Sequence, residues 1–391
     1  MSKKIEDLNL EGKAVFIRVD FNVPLKDGVV QDDTRIKAAL PTIKFVMKKG
    51  GKIVLASHLG RPKGKVVDEM SLKPVGEYLS KLLDGKEILF SEDCIAEGNR
   101  KLIKEMKNGD ILLLENLRFH EGETKNDPDF VEELSKNIDV YINDAFGTAH
   151  RAHASTYGVP ERLEQKAPGF LLNKEIEYFG NVLNHPEKPF VAILGGAKVS
   201  DKIEVIKNLI PKIDALLIGG AMAYTFLKAK GIEVGSSKVE EDKLILARNL
   251  MKEMDERRVH LMLPVDHVVA SEFSESAKGE IVTTISKDKM GLDIGPKTLK
   301  AYSDEIAKAS TIIWNGPMGV FEMEQFAHGT SQIAKAVASS KAISIIGGGD
   351  SVAAINKFNL QDKVTHISTG GGAALEYMEG KELPGVAIFN K

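Results

Sequence analysis

Short, nearly continuous apolar runs recur along the chain and alternate with stretches of helical spacing. In the first half they are AVFIRVD at 14–20, KIVLASH at 52–58, ILLLENL at 111–117 and VYINDAF at 140–146. In the second they are FVAILGG at 190–196, ALLIGG at 215–220, LMLPVDHVV at 261–269, TIIWNGP at 311–317, AISIIGGGD at 342–350 and HISTGGG at 366–372. Strands buried on both faces need such runs rather than strict alternation, and segments such as KIEVIKNLI at 202–210 have the period of helices. The pattern predicts α/β architecture with parallel sheets.

Most runs end in polar residues or glycines: Asp20 and Asn22, His58 and Arg61, Asn116 and Arg118, Asn143 and Asp144, Gly195 and Gly196, Asn315 and Gly316, Gly348 to Asp350. Ligands of open parallel sheets bind beyond the carboxyl ends of the strands, so these residues are expected to gather along one rim of each sheet. Between the halves, in 167–190, Pro168 is placed to open a helix and the stretch Asn184–Pro189, with two prolines, to end it. The domain junction is expected there, with the helix as a stiff connector.

A length of 391 residues suits two domains. The formal net charge of −3 argues against wholesale attraction to nucleic acid or to an anionic membrane. The single cysteine, Cys94, excludes an internal disulfide and points to a reducing compartment; a buried structural thiol is expected. The opening MSKKIEDLNLEG lacks the apolar run of a signal peptide. The longest uncharged, mainly apolar stretch, Ala215 to Leu227, has 13 residues, short of the roughly 20 that span a bilayer.

The halves differ in their decoration. Seven of the ten arginines (Arg18, Arg35, Arg61, Arg100, Arg118, Arg151 and Arg162) precede residue 163, and those in DDTRI, SHLGRP, ENLRF and TAHRAH follow turn-like or strand-end residues. With His58 and His153 they suit an anion site, because the guanidinium fork matches phosphate and carboxylate. The second half closes its runs with Gly195-Gly196, Gly219-Gly220, Gly347-Gly348-Gly349 and Gly370-Gly371-Gly372, where the backbone can approach phosphates at helix N-termini. Ser200 is placed to cap one such helix, and Asp350 or Ser351 another; Asp350 suits either a cap or a Mg²⁺ ligand. Lys198 and Lys202 stand where a helix dipole disfavours cations unless an anion is present.

Neither G-x-x-x-x-G-K-[ST] nor G-x-G-x-x-G after the first strand occurs, and there is no G-x-S-x-G elbow. His150 and His153 lack an evident third zinc ligand.

The motifs RVDFNVPL at 18–25, DDTRI at 32–36, SHLGRP at 57–62, LLENLRFHEGE at 113–123, NDAFGTAHRAHAS at 143–155, GGAKVSDKI at 195–203, IGGAMAYTFL at 218–227, WNGPMGVFE at 314–322, GGGDS at 347–351 and STGGGA at 368–373 together resemble the phosphoglycerate kinase family from end to end. The resemblance implies two doubly wound, Rossmann-like parallel-sheet domains: 1–167 for phosphoglycerate, a connecting helix at 168–186, and 187–374 for nucleotide, with the tail 375–391 packing back on the first. It implies reversible, Mg²⁺-dependent phosphoryl transfer between 1,3-bisphosphoglycerate and ADP, giving 3-phosphoglycerate and ATP, with hinge closure of the two domains, in a cytoplasmic monomer without nucleic-acid or membrane partners.

Carried over by motif, Asp20 and Asn22 contact the hydroxyl and carboxyl end of the substrate, His58, Arg61, Arg118 and Arg151 hold its 3-phosphate, and Arg35 approaches the transferred group. Lys198 and Lys202 meet the phosphates or the phosphoryl in flight, and Asp350 binds Mg²⁺. Amides near Gly349, Ser351, Gly371 and Gly372 face phosphate, with Ala197 and Gly348 in the same loops; Gly371 is included among the catalytic positions. Asn315 and Glu322 face the ribose-phosphate region, and Gly196, Gly219, Gly220, Gly291 and Pro317 the adenine pocket.

Overall fold

In the computed structural model, which describes residues 3–390, the chain forms two compact units. One comprises the chain up to Ile176 together with Glu382 onward, the other Glu177–Lys381. The helix Phe170–Asn184 carries the chain from the first to the second.

The first unit is built on strands β1 (Ala14–Val19), β4 (Lys52–Ala56), β5 (Ile88–Ser91), β6 (Ile111–Leu114), β7 (Val140–Asp144) and β8 (Gln165–Pro168), with β2 (Leu25–Lys26) and β3 (Val29–Val30) forming a small hairpin. Its six-stranded sheet is parallel throughout, in the order β5-β6-β4-β1-β7-β8. Every residue of β1, β6 and β7 is buried, which is why these strands read as unbroken apolar runs. The chain leaves β1 toward β4 and later lays β7 on its other side, so the strand order reverses beside β1, where a ligand crevice is expected.

The second unit has β9 (Phe190–Leu194), β10 (Ala215–Ile218), β11 (His260–Met262), β15 (Thr311–Asn315), β16 (Ile343–Gly347) and β17 (His366–Ile367) in the order β11-β10-β9-β15-β16-β17, again parallel. The order reverses between β9 and β15. A second sheet, antiparallel, joins β12 (His267–Ala270), β13 (Glu280–Val282) and β14 (Met290–Ile294).

Four local expectations are corrected. The run 261–269 is two strands in two different sheets, because Pro264 interrupts it and Asp266 turns away to accept hydrogen bonds from the Lys297 and Thr298 amides (both 2.8 Å) at the start of the helix Pro296–Ile306. Pro168 ends the edge strand β8, a place where a missing N–H is tolerated; the helix Phe170–Asn184 is started instead by Asp144, whose Oδ1 accepts from the amides of Leu171 (2.9 Å) and Leu172 (3.3 Å). Ser200 does not cap a helix: its hydroxyl donates to Glu240 (2.6 Å), and the helix Ile203–Leu209 has Lys202 at its N-cap. Gly348, rather than Asp350 or Ser351, is the N-cap of the helix Gly349–Lys357.

Candidate active site

In the first unit, hydrogen bonds among the strand ends bring four loops together. Ser57 Oγ accepts from the Phe21 amide (2.8 Å), fixing the end of β1 against that of β4. Asn116, fully buried, accepts from the amides of Leu59 (3.2 Å) and Arg118 (3.1 Å) and donates to the Leu59 carbonyl (2.7 Å), so the loop carrying His58 and the turn carrying Arg118 move as one piece. Asn22 Oδ1 accepts from the Gly60 amide (2.9 Å), and Arg35 donates to the Asn22 carbonyl (3.0 Å) and pairs with Asp20 (3.3 Å).

At the centre stands a residue the sequence pattern left inside a strand, Arg18. It is fully buried, donates from Nε to Ser155 Oγ (2.8 Å) and from one terminal nitrogen to the Val19 carbonyl, and its other terminal nitrogen lies 3.1 Å from His58 Nδ1. A guanidinium only donates, so His58 Nδ1 is the acceptor and the ring hydrogen sits on Nε2. Ser155 passes the chain on to Glu123, also fully buried, through its hydroxyl (2.7 Å) and amide (3.0 Å).

Cations crowd here. Burial first, then the charges of Arg18, Arg118 and Arg35, hold the His58 ring well below the usual histidine range. Burial with Arg18, Arg118 and Arg151 pushes His153 down to about 3. Arg118 itself is lowered to about 10, mainly by burial and then by Arg18 and Arg151. Its terminal nitrogen donates to the Gly60 carbonyl (2.8 Å), but Arg118 Nε and His153 Nδ1, both buried, have no hydrogen-bond partner among the described residues; Glu123 lies 3.8 Å from the latter. A dry cluster of like charges with an orphaned donor is costly unless an anion arrives.

The sequence-stated positions Asp20, Asn22, Arg35, His58, Arg118 and Arg151 thus share one electrostatic neighbourhood. Arg61 is exposed and has no ion pair among the described residues. Asn143 and Asp144, also at a strand end, serve the fold: Asn143 donates to the Gly385 carbonyl (3.2 Å) and Asp144 starts a helix. Arg18, Ser155 and Glu123 were not among the sequence candidates, although a charged residue inside AVFIRVD was a signal for one of them.

In the second unit the ends of β9, β10 and β15 cross backbone on backbone. The Gly195 amide donates to the Asn315 carbonyl (3.0 Å), Gly196 to Pro317 (3.2 Å) and Gly220 to Met318 (2.8 Å). A side chain at Gly195 would stand 2.0 Å from the Pro317 carbonyl oxygen, and one at Gly220 would stand 2.5 Å from the Gly196 backbone. One at Gly219 would meet Met318 Sδ at 2.5 Å, and one at Gly291, in β14, the Tyr224 hydroxyl at 1.9 Å. Packing alone demands glycine at these four. Gly196, Gly349 and Gly371 differ: nothing stands within 4 Å of where their side chains would be. These three leave backbone open to a ligand.

Around this opening Lys202 Nζ donates to Asn315 Oδ1, and burial lowers the Lys202 ammonium against the opposing pull of Asp201, Asp350 and Glu379. Asn315 Nδ2 is buried and unpartnered among the described residues. Ser351 Oγ accepts from the Gly316 amide (2.5 Å), tying the first turn of the helix Gly349–Lys357 to the end of β15. Asp350 stands exposed in that turn, where its charge favours both the helix dipole and a cation; Ala197, Lys198 and Glu322 are exposed as well. Pro317 is buried.

The family model for phosphoglycerate kinase matches residues 5–381. The phosphoglycerate kinase of Clostridium tetani (strain Massachusetts / E88) is 54% identical over 392 residues, covering 99% of this chain and 98% of its own length. That of Clostridium botulinum (strain Hall) is equally similar, at 54% over the same share. Among solved structures, phosphoglycerate kinase from Coxiella burnetii superposes with a TM-score of 0.91 at 42% identity, covering 100% of this chain and 99% of that one. The enzyme from Pyrococcus horikoshii OT3 gives 0.82 at 35%, covering 99% and 98%.

Proposed function

The chain belongs to the phosphoglycerate kinase family and is a phosphotransferase with a carboxyl group as acceptor, and from that premise we propose how its residues divide the reaction. The enzyme moves a phosphoryl group between 1,3-bisphosphoglycerate and ADP, with 3-phosphoglycerate and ATP on the other side. The buried cationic cluster of the first unit, with Arg118 Nε lacking a partner, is the observation that carries the assignment of the phosphoglycerate end.

In this reading Arg118, Arg151, Arg61 and the Nε2–H of His58 take the 3-phosphate. Asp20 and Asn22 orient the hydroxyl and carboxyl end, and Arg35, held by both, reaches the transferred group. The nucleotide phosphates lie over Ala197, Gly348, Gly349, Ser351 and Gly371, with Lys198 and Lys202 neutralising charge. Asn315 and Glu322 face the ribose, and Gly196, Gly219, Gly220, Gly291 and Pro317 border the base.

Attacking and leaving oxygens are already ionised at neutral pH, so no general base is needed. The rate comes from positioning and charge neutralisation, which arginines, lysines and helix N-termini supply. Asp350, an exposed carboxylate in the first turn of a helix, fits a Mg²⁺ ligand, since such sites use one or two protein carboxylates beside substrate phosphates. Asp350 would hold the ion, which when bound would offset the negative charge of the nucleotide phosphates. With the two substrates held by different units, the units must bring them together and exclude water that would hydrolyse the acyl phosphate. No described helix is long and apolar enough to cross a membrane. A cytoplasmic monomer fits this reading.

The test is direct: protein, 3-phosphoglycerate, ATP and Mg²⁺, coupled to NADH oxidation through glyceraldehyde-3-phosphate dehydrogenase. Turnover abolished by EDTA supports the assignment; folded protein that binds ATP without turnover overturns the reading of the arginine cluster.

A further inference from the structure

On the first unit, behind the turn that carries Arg118, three side chains of different donor type converge. The ligand atoms of Asp93, Cys94 and His120 all lie within 4.8 Å of one another. Asp93 Oδ1 already holds His120 Nε2 at 2.8 Å and accepts from the Ile95 amide at 3.0 Å, which orients the carboxylate. Phe130 packs against the imidazole at 5.3 Å between ring centres. Cys94 is 4% exposed and lines a small cavity with Ala96, Asn99 and Leu114, while His120 borders a separate open hollow of about 370 Å³ with Glu121 and Phe130. We propose that Asp93, Cys94 and His120 form a binding site for a soft divalent cation of the zinc class, with water as the fourth ligand.

The donor set is one sulfur, one imidazole nitrogen and one carboxylate oxygen, which selects zinc-like ions over Mg²⁺, and three protein ligands with one open position is a common tetrahedral arrangement. The surrounding field agrees. After burial, the charges of Asp93, Glu123 and Glu115 are what disfavour the Cys94 thiolate, and a dication reverses that penalty by supplying the missing positive charge. On binding, the Sγ–H bond breaks, its proton goes to solvent and an Sγ–metal bond forms. The hydrogen that His120 Nε2 donates to Asp93 moves to Nδ1 through solvent, which breaks that hydrogen bond and frees the Nε2 lone pair for the metal. One proton therefore leaves per cation. His120 directly follows the 3₁₀ turn Leu117–Phe119, so an occupied site ties the Arg118 turn to the loop after β5.

The experiment uses full-length protein without nucleotide, titrated with Co²⁺ as probe and then with Zn²⁺ as competitor. The expected result is one equivalent of Co²⁺ with a sulfur-to-cobalt charge-transfer band and strong tetrahedral d–d absorption, both removed by Zn²⁺, and an apparent affinity that rises tenfold per pH unit for the single released proton. Cys94→Ser abolishes the charge-transfer band. His120→Asn, at a half-exposed position, keeps the fold and weakens Co²⁺ by at least about tenfold, and it decides the matter if Cys94→Ser does not fold. A wild-type protein without the charge-transfer band, a weak octahedral spectrum alone, or an unchanged midpoint in His120→Asn overturns the site.

Discussion

Arg18 and His58 meet at 3.1 Å in a fully dry setting, and because the guanidinium can only donate, it fixes the imidazole as an Nε2–H donor. Arg18→Met removes that constraint together with the bond to Ser155, and leaves His58 Nδ1 and the Val19 carbonyl short of a donor in a buried setting. Urea unfolding is expected to show a loss of about 1–3 kcal/mol. Among molecules still folded, KM for 3-phosphoglycerate rises while KM for ATP is unchanged; an equal rise in both would show that Arg18 has no special relation to the first substrate.

Arg118 is held among like charges at a cost to stability, which makes activity and stability separable. Arg118→Gln is expected to leave the unfolding midpoint equal or higher, and to lower kcat/KM by about 10- to 100-fold, chiefly through KM for 3-phosphoglycerate, the loss typical of one hydrogen bond to a charged group. Steady-state kinetics beside urea unfolding on the same preparation makes the comparison.

His153 gives a pH dependence of defined sign. Its folded pKa, about 3, lies below the ordinary 6.5, so the unfolded chain takes up the proton first on acidification. The neutral ring's contribution to stability is fully present above pH 6.5 and is lost as pH falls toward 3. His153→Asn should flatten the stability profile in that window, measured by thermal melts at stepped pH.

Asp144 has the opposite sign. Burial raises it to about 7, so the folded state binds the proton more tightly and the carboxyl costs stability as pH rises from about 4 through 7. Asp144→Asn keeps the acceptor for the Leu171 and Leu172 amides, and the mutant should lose less stability than the wild type between pH 5 and pH 8.

Gly195 and Gly349 should respond differently to the same change. Gly195→Ala puts a methyl 2.0 Å from a carbonyl oxygen and is expected to cost about 3 kcal/mol or more. Gly349→Ala meets nothing within 4 Å, so the free protein melts at the same temperature or slightly higher while ATP binds more weakly. Isothermal titration with ATP separates the two; undiminished affinity in Gly349→Ala would remove that loop from the phosphate site.

How much was legible in advance follows from what each residue does. Doubly buried strands such as β1, β6 and β15 announce themselves as unbroken apolar runs. The edge strands Ile88–Ser91 and Gln165–Pro168 do not, because one side of each is uncovered and the sequences ILFS and QKAP carry no period. The antiparallel sheet was hidden in LMLPVDHVV, where only Pro264 hints at the break. Anion-binding residues at strand ends stood out by chemistry, but Arg18, Ser155 and Glu123 act through contacts 137 and 32 positions apart, and no local pattern encodes such a pairing. Glycines deceive in the other direction: Gly195 and Gly196 are adjacent, yet one is required by packing and the other faces open space.

The core of the first unit is closed by residues far along the chain: the Gly385 amide donates to the Ala149 carbonyl (2.8 Å), Asn143 reaches the Gly385 carbonyl, and Phe389 stacks on Tyr141 at 6.3 Å. On the ribosome these pieces emerge only after Glu177–Lys381 has been made. The unit whose synthesis begins first is therefore the one whose fold is completed last, and a nascent chain stalled before residue 382 would present a finished nucleotide unit beside a first unit still waiting for its closing segment.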